Sequence, residues 1–263
     1  MSYLLPNIFA DAAGKLQEYV PSSWMEDTVI LYYAIFLIIM IPGCAAVIAP
    51  YGRFTGCWKA NLSFHGKWSW FIMEVIPVSV FLHTAGLSLS STQWLLASLW
   101  LIHYFNRAII YPIRAPSLAP LHIAVLAAGS VFNGLNGYTN GRWLASHDIP
   151  NTPKLWIGVS IWFAGLCFNI YHDSLLFRLR RSGKGYFIPR GGLFEYVSCA
   201  NYLSEMIEWT GYAIATWPCL PAFLFVVTTA GNLVPRALYT HRWYRQKFED
   251  YPRNRKAVVP YLL

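Results

Sequence analysis

Seven runs of predominantly apolar residues, each about as long as a bilayer is thick, constrain this chain more than any other feature. They lie at about 28–49, 69–88, 92–112, 117–137, 155–175, 197–217 and 220–239. A helix needs roughly 20 residues to cross the hydrocarbon of a membrane. Within that hydrocarbon only a helix or a closed barrel satisfies every backbone polar group. The expected fold is therefore an all-α integral membrane protein with seven transmembrane helices, forming a single membrane-embedded domain over residues 1–263. Composition agrees, because only 12% of the residues are charged, against about 25% in a soluble domain. The stretch "FNGLNGYTNG", residues 132–141, reads as a turn that closes the fourth span. "WPCLP", residues 217–221, reads as a tight turn between the sixth and seventh. Residues 7–20 read as an amphipathic helix lying in the interface. The N-terminal segment lacks the basic start of a cleaved signal peptide.

The basic residues orient these spans. Arg53, Lys59 and Lys67 follow the first span, Arg107 and Arg114 the third, and Arg178, Arg180, Arg181, Lys184 and Arg190 the fifth. Seven more lie in the tail from Arg236 to Lys256. Only Lys15, Arg142 and Lys154 fall on the other side. By the positive-inside rule the N-terminus is outside and the C-terminus cytosolic. The net charge of +8 thus reads as topology and contact with membrane lipid, not as a nucleic-acid surface. Five cysteines with no CxxC, and seven histidines with no HxxH or HxxxH spacing, argue against a disulfide framework and a metal site.

Polar groups inside the spans need a partner or a purpose. Glu74 lies in "WFIMEVIPVSVFLH", residues 70–83, a strip without Lys or Arg. In the sixth span Asn201, Glu205, Glu208 and Tyr212 follow at helical spacing and form one stripe. Proton or cation transport, cofactor binding and a structural hydrogen-bonded seam would each account for that stripe. At the end of the fifth span Asn169, His172 and Asp173 share a face, with Arg180 two turns further on. An acid and arginines at a cytosolic mouth suit a nucleotide, the carboxylate for ribose hydroxyls and guanidinium for phosphates. Tyr104 lies mid-way along the third span and gains interest only with a facing acid, for which Glu74 is the candidate. Neither GxGxxG nor a Walker motif is present, and the paired glycines of "PRGGLFEY", residues 189–196, follow no strand, so no Rossmann domain is expected.

The stretch "YFIPRGGLFEYVSCANYLSEMIEWTGYAIATW" and the tail "RALYTHRWYRQKFEDYPRNRKAVVPYLL" resemble the steroid 5α-reductase family. "HYFNRAIIYP" and "FIMEVIPV" resemble its third-span and second-span motifs, so the likeness runs from about residue 50 to the end, in a bacterial or otherwise divergent member. The resemblance implies a membrane reductase that uses NADPH to saturate the 4,5 double bond of 3-oxo-Δ4-steroids. It implies a bacterial inner membrane or endoplasmic reticulum location, a cofactor site facing the cytosol and no obligate protein partner. Carried over by residue, Glu74 and Tyr104 match the pair that grips the substrate's 3-oxo group. Arg114, Asn169, Asp173, Arg180, Tyr186, Asn201, Glu205, Arg236, Arg242 and Tyr244 match positions around the cofactor. Two departures stand out. Met73 replaces a Gln found in many relatives, and Phe187 replaces an Arg found in some, whose phosphate contact Arg190 or Lys184 would have to supply.

On this reading Glu74 needs no basic partner, because a carboxylic acid in apolar surroundings can stay neutral and donate a hydrogen bond. Its purpose is the negative charge that develops on the 3-oxo oxygen. Rival readings are a reductase of another enone or enoyl lipid (a trans-2-enoyl thioester or a polyprenol), a methyltransferase of the isoprenylcysteine type, and a proton-coupled transporter. A transporter would be expected to carry internal repeats or paired broken helices, and none is seen in the sequence.

Overall fold

A computed structural model describes residues 28–57, 62–183 and 185–263; the interfacial helix expected at 7–20 lies outside them. The described residues are mostly helical, and their long helical segments fall on the apolar runs. Helix α1 is Thr28–Ala46, α2 Gly66–Ala85 and α3 Ser91–Phe105. A π turn, Asn106–Ile110, then leads into the short α4, Tyr111–Arg114. Helix α5 is Ile123–Ser146, α6 Pro153–Ser182, α7 Ala200–Ala215 and α8 Leu220–Lys247. Three of them, α2, α6 and α8, are long and apolar enough to cross a membrane. Two short strands, β1 (Ser63–Phe64) and β2 (Leu121–His122), pair antiparallel and tie the start of α2 to the start of α5.

Local chemistry sets the helix starts. Ser90 and Gln93 form a reciprocal capping box on α3, which satisfies two otherwise orphaned backbone donors. Thr152 caps α6, with Pro153 in the first helical position, where a missing N–H costs nothing.

The reading of residues 132–141 as a turn is corrected by the structure: α5 starts at Ile123 and stays helical through this stretch to Ser146. The glycines that suggested a turn serve packing. A Cβ on Gly137 would come within 2.8 Å of the Pro77 carbonyl, and one on Gly141 within 2.7 Å of that of Phe81. Small residues thus let α5 lie against the backbone of α2, as in close membrane-helix pairs. Between them Asn133, Asn136 and Asn140 turn inward and are buried.

Helices α6 and α7 meet in the same way. Gly158 and Gly165 face the backbone at Ala215 and Glu208, and Gly211 faces that at Trp162, so a side chain at any of the three would clash. Around this seam an aromatic cluster forms the core. Trp100 stacks on Phe81 at 5.0 Å and lies 5.0 Å from Tyr104, 5.4 Å from Trp209 and 5.8 Å from Phe225. It joins α2, α3, α7 and α8. Beyond α8 the chain turns back, and Lys256 and Ala257 pair with residues 196–199 just ahead of α7.

Candidate functional site

Glu74, in the middle of α2, and Tyr104, near the end of α3, lie in the interior of the helical bundle. Both are buried, at 7% and 2% exposure. Arg107, His103 and Glu205 are ionisable groups within electrostatic reach of Glu74, and Glu74 is within reach of Tyr104. The Tyr104 hydroxyl accepts a hydrogen bond from Asn136 Nδ2 at 3.3 Å. Asn136 Oδ1 is occupied in turn by Asn140 Nδ2 at 2.9 Å and the Tyr33 hydroxyl at 3.4 Å. With its acceptor side taken, the amide presents its donor to Tyr104, and the phenol keeps its proton free for a further acceptor.

Next to Tyr104, His103 Nδ1 and Glu208 Oε1 are 2.6 Å apart, both buried, while Glu208 Oε2 has no hydrogen-bond partner among the described residues. The stripe on α7 therefore divides: Glu208 faces α3, Tyr212 packs in the aromatic core, and Asn201 and Glu205 lie toward Asp173 and Arg107.

Arg107 connects this inner group of residues to an outer one. It leaves the π turn, where the extra residue shifts the helix register, a feature often found at functional positions. Trp70 and Tyr111 flank its guanidinium, each ring centre 4.8 Å away, and it lies 3.6 Å from Asp173. Asp173 also accepts from Asn201 Nδ2 at 3.1 Å, and Asn169 Nδ2 donates to the Asn201 carbonyl at 2.9 Å. Asp173 is the ion-pair partner of Arg107, and Glu205 and Glu74 lie within its electrostatic reach. His172 is held by Ser204 and by the backbone N–H of Leu193. Gly191 and Gly192, both with positive φ, make the turn that brings this N–H there; a Cβ on Gly192 would reach to 2.8 Å of the His172 ring.

Further out are the remaining expected cofactor residues. Arg236 lies flat on Tyr51, 3.4 Å from the ring centre, and donates to the carbonyls of Ala49 and Tyr51. Tyr244 accepts from Arg53 at 3.2 Å, and Tyr186 stands edge-on to Trp243 at 5.0 Å. Arg114 bonds to Ser174 at 2.7 Å and Arg180 to the Ser117 carbonyl at 3.0 Å, both at the surface. Arg242 is exposed and makes no hydrogen bond or ion pair with this group among the described residues. The structure thus brings together Glu74, Tyr104, Asn169, Asp173, Asn201 and Glu205. It places Arg236, Tyr186 and Tyr244 in a second cluster and leaves Arg114, Arg180 and Arg242 on the rim.

Both departures have a structural setting. The Met73 thioether lies against Gly129 of α5, and its carbonyl accepts from Asn133 at 2.7 Å. Arg190 lies 3.5 Å from Glu195 at the exposed surface, and Lys184 lies outside the described residues. His103, Asn136 and the linking role of Arg107 escaped the sequence reading. His103 and Arg107 are four apart in the third span, and that spacing is the signal that could have found them.

Helices of membrane length that carry an internal cluster of acids, amides, a tyrosine and an arginine define the class: a helical membrane protein with a buried polar site. Comparison with known proteins makes the class specific. Residues 119–263 match the family model of 3-oxo-5-alpha-steroid 4-dehydrogenase. The chain is 34% identical over 260 residues to "3-oxo-5-alpha-steroid 4-dehydrogenase 1" of Rattus norvegicus, covering 93% of this chain and 100% of that protein. It is 41% identical over 233 residues to "Steroid 5-alpha-reductase DET2" of Solanum lycopersicum, covering 83% and 90%, and 38% identical over 262 residues to that of Arabidopsis thaliana, covering 90% and 98%. The chain belongs to the 3-oxo-5-alpha-steroid 4-dehydrogenase family, a family of oxidoreductases.

Proposed function

We propose that this protein reduces the 4,5 double bond of 3-oxo-Δ4-steroids to 5α-dihydro-3-oxosteroids with NADPH. It would do so as one membrane-embedded reductase domain of seven spans, N-terminus outside and cofactor site toward the cytosol. The observation that carries the reading is the buried Glu74–Tyr104 pair beside an aromatic core, reached on one side by the Arg107–Asp173–Asn201 bridge. A flat apolar ligand with one ketone needs the first, and a polar dinucleotide needs the second.

The residues fit the cofactor. Asn169 Oδ1 and Arg236 Nε are buried without partners among the described residues, and such orphaned groups are costly unless a ligand meets them. Asp173, Asn169 and Asn201 would hold the polar ribose end, with Glu205 beside them, and the arginines would hold the phosphates. When bound, NADPH supplies the hydride that C5 receives.

The chain's own part is electrostatic. As C5 is reduced, negative charge develops on the 3-oxo oxygen. The Tyr104 hydroxyl, held by Asn136, donates to that oxygen, and Glu74 in its protonated form is the second donor. Each such preorganised donor typically contributes about 3–4 kcal/mol to the transition state. C4 then takes a proton delivered by water. The aromatic cluster around Trp100 fixes the Tyr104 ring and keeps bulk water from the ketone, which strengthens both hydrogen bonds.

The test is purified protein in detergent with NADPH and testosterone or progesterone, the product identified by mass spectrometry and its ring junction assigned. A 5α-dihydro product is expected. NADPH binding without turnover would move the substrate to enoyl thioesters or polyprenols. Folded protein that neither binds NADPH nor turns over would overturn the reading.

A further inference from the structure

One buried pair of titratable groups has no part in the chemistry assigned so far. His103 Nδ1 and Glu208 Oε1 are 2.6 Å apart, at 3% and 0% exposure, and join α3 to α7. The His103 ring stands edge-on to Tyr104 at 4.9 Å and to Trp209 at 4.4 Å between centres. It thus packs beside the phenol assigned to the ketone. The second ring nitrogen, Nε2, makes no hydrogen bond among the described residues. Glu208 Oε2 is buried and makes none either. Arg107 lies within electrostatic reach of both members of the pair, and Glu74 and Glu205 within reach of His103.

Geometry places the protons of this pair. Two bare lone pairs cannot stand so close, so one proton lies between Nδ1 and Oε1. A net charge is costly among apolar rings, and an uncharged pair holds a second proton, on Oε2 or on Nε2. On Oε2 it would be a buried hydroxyl without an acceptor among the described residues. Nδ1 would then donate to a neutral carbonyl, a bond whose usual length is about 2.9–3.0 Å. The 2.6 Å observed is shorter, as in a hydrogen bond helped by charge. The second proton is therefore on Nε2, the nitrogen that the protein leaves free. An imidazole held at Nδ1 by a carboxylate and free at Nε2 is a general acid with its tautomer fixed.

We propose that the His103–Glu208 pair is the source of the proton that C4 takes, with His103 Nε2 passing it to the water that delivers it. The proposal rests on the reduction reading above. On that reading the ketone oxygen meets Tyr104 on α3, and the cofactor meets Asn201 on α7, on the stripe that Glu208 shares. C4 is bonded to C3, the ketone carbon, and to C5, which receives the hydride. It falls between those two groups, where the pair joins the two helices. The water gives its proton to C4: the electrons of the enolate C3–C4 double bond form the C4–H bond, and the oxygen lone pair restores the carbonyl. Nε2–H replaces the proton that the water has lost. The pair is left with one negative charge, within reach of Arg107, and takes one proton from solvent before the next turnover. NADPH thus supplies one of the two added hydrogens, and solvent supplies the other through His103.

The experiment uses full-length protein in nanodiscs and two variants that keep a hydrogen bond between α3 and α7. Glu208→Gln can neither hold nor release the proton. His103→Asn puts an amide N–H where Nδ1 stands and has no atom at Nε2. Thermal unfolding and NADPH binding check that each variant is folded. NADPH affinity is expected within twofold of wild type, and kcat with testosterone about 10²-fold lower in both. The discriminating readout is isotopic. With C4 protonation slowed, the isotope effect of NADPH deuterated at the transferred hydrogen falls toward one, and the effect of D2O on kcat rises. A pair that only positions Tyr104 would slow hydride transfer instead, so a lowered kcat with an undiminished deuteride effect overturns the proposal. So does kcat within threefold of wild type in either folded variant. Nitrogen NMR of wild type labelled at histidine needs neither steroid nor NADPH. His103, assigned by the signal lost in His103→Asn, is expected to carry its hydrogen on Nε2. A bare Nε2 makes the pair a base and overturns the proposal, whatever the variants do to turnover. A wild type with Nε2 protonated that reduces no steroid fails at the reduction reading first, and the proposal falls with it.

Discussion

The inner and outer halves of the site solve opposite problems. Around Glu74 and Tyr104 the polar groups are tied to one another through Asn136, Asn140 and the His103–Glu208 pair, and what is left over among the described residues is one neutral indole N–H, of Trp100, and two acceptor oxygens, of Asn140 and Glu208. Around Arg53 and Arg236 cations stand on aromatic faces with donors left over. A region that leaves over no cation and can direct only one or two donors suits a nearly apolar ligand with a single ketone. A region whose cations keep an N–H unpartnered among the described residues suits an anion of many oxygens. The contrast shows that ligand polarity can be read from what each half leaves unpaired, more than from how many polar residues it holds.

Arg107 belongs to both halves, so the largest effect is expected there. Arg107→Met leaves Asp173 buried without its cation, and breaking such a pair typically costs about 3–5 kcal/mol. Thermal unfolding of the variant should fall, and NADPH binding and steroid turnover should be lost together. Pairing it with Asp173→Leu should restore much of the stability, since exchanging a whole buried ion pair for apolar groups can be neutral. It should restore neither binding nor turnover. Loss of turnover alone, with NADPH binding intact, would confine Arg107 to the inner half.

Within the inner half, Tyr104→Phe and Glu74→Leu are each expected to lower kcat about 10²- to 10³-fold. NADPH affinity should change little, because the outer half is untouched. Glu74→Gln should retain more activity than Glu74→Leu, since an amide still donates. Wild-type activity in all three variants would end the role assigned to the pair.

Asn136→Leu sharpens the same point. Loss of its hydrogen bond to Tyr104 should lower kcat about tenfold, the equivalent of roughly 1.4 kcal/mol, and should destabilise the fold by about 1–3 kcal/mol through the groups it strands. In a Tyr104→Phe background the kcat effect should vanish while the stability effect remains. Additive kcat losses in that cycle would mean that Asn136 acts on packing and not through the phenol.

Helix positions were legible because hydropathy reports the length of an apolar run directly. Where the reading missed, packing decided. Residues 132–141 carry three glycines and three asparagines that locally say turn, yet α5 runs through them because α2 offers a backbone for the glycines to touch. The helices α6 and α8 extend past the apolar runs to Ser182 and Lys247, because their polar ends are held by other chain segments that hydropathy cannot register. The resemblance supplied the names of the candidate residues but not their grouping. Glu208 finds His103 across 105 positions, and Arg53 finds Tyr244 across 191. Such partners depend on which helices meet, and no local spacing encodes that.

The smallest effect belongs to the rim, where the tail closes over the turn of Gly191 and Gly192. Glu195 accepts from the Gly191 N–H at 2.6 Å and faces Arg255 and Arg190, each at 3.5 Å. The backbone hydrogen bond first, and then the two arginines, hold its carboxyl below the usual glutamate range. A depressed value in the folded state means that the ionised form is the one stabilised. The contribution is therefore present above the ordinary glutamate range and fades as pH falls through the lowered value. The carboxyl is largely solvated and screened, so a Tm change of about 2 °C or less is expected. Unfolding scans of wild type and Glu195→Gln should differ at neutral pH and converge in acid. Neutral-pH turnover of the variant should stay close to wild type, because Glu195, an acid, is assigned neither to the ketone nor to the phosphates. A large loss of NADPH affinity in Glu195→Gln would move the boundary of the outer half onto this turn, making the Arg255–Glu195 contact part of the cofactor site instead of its support.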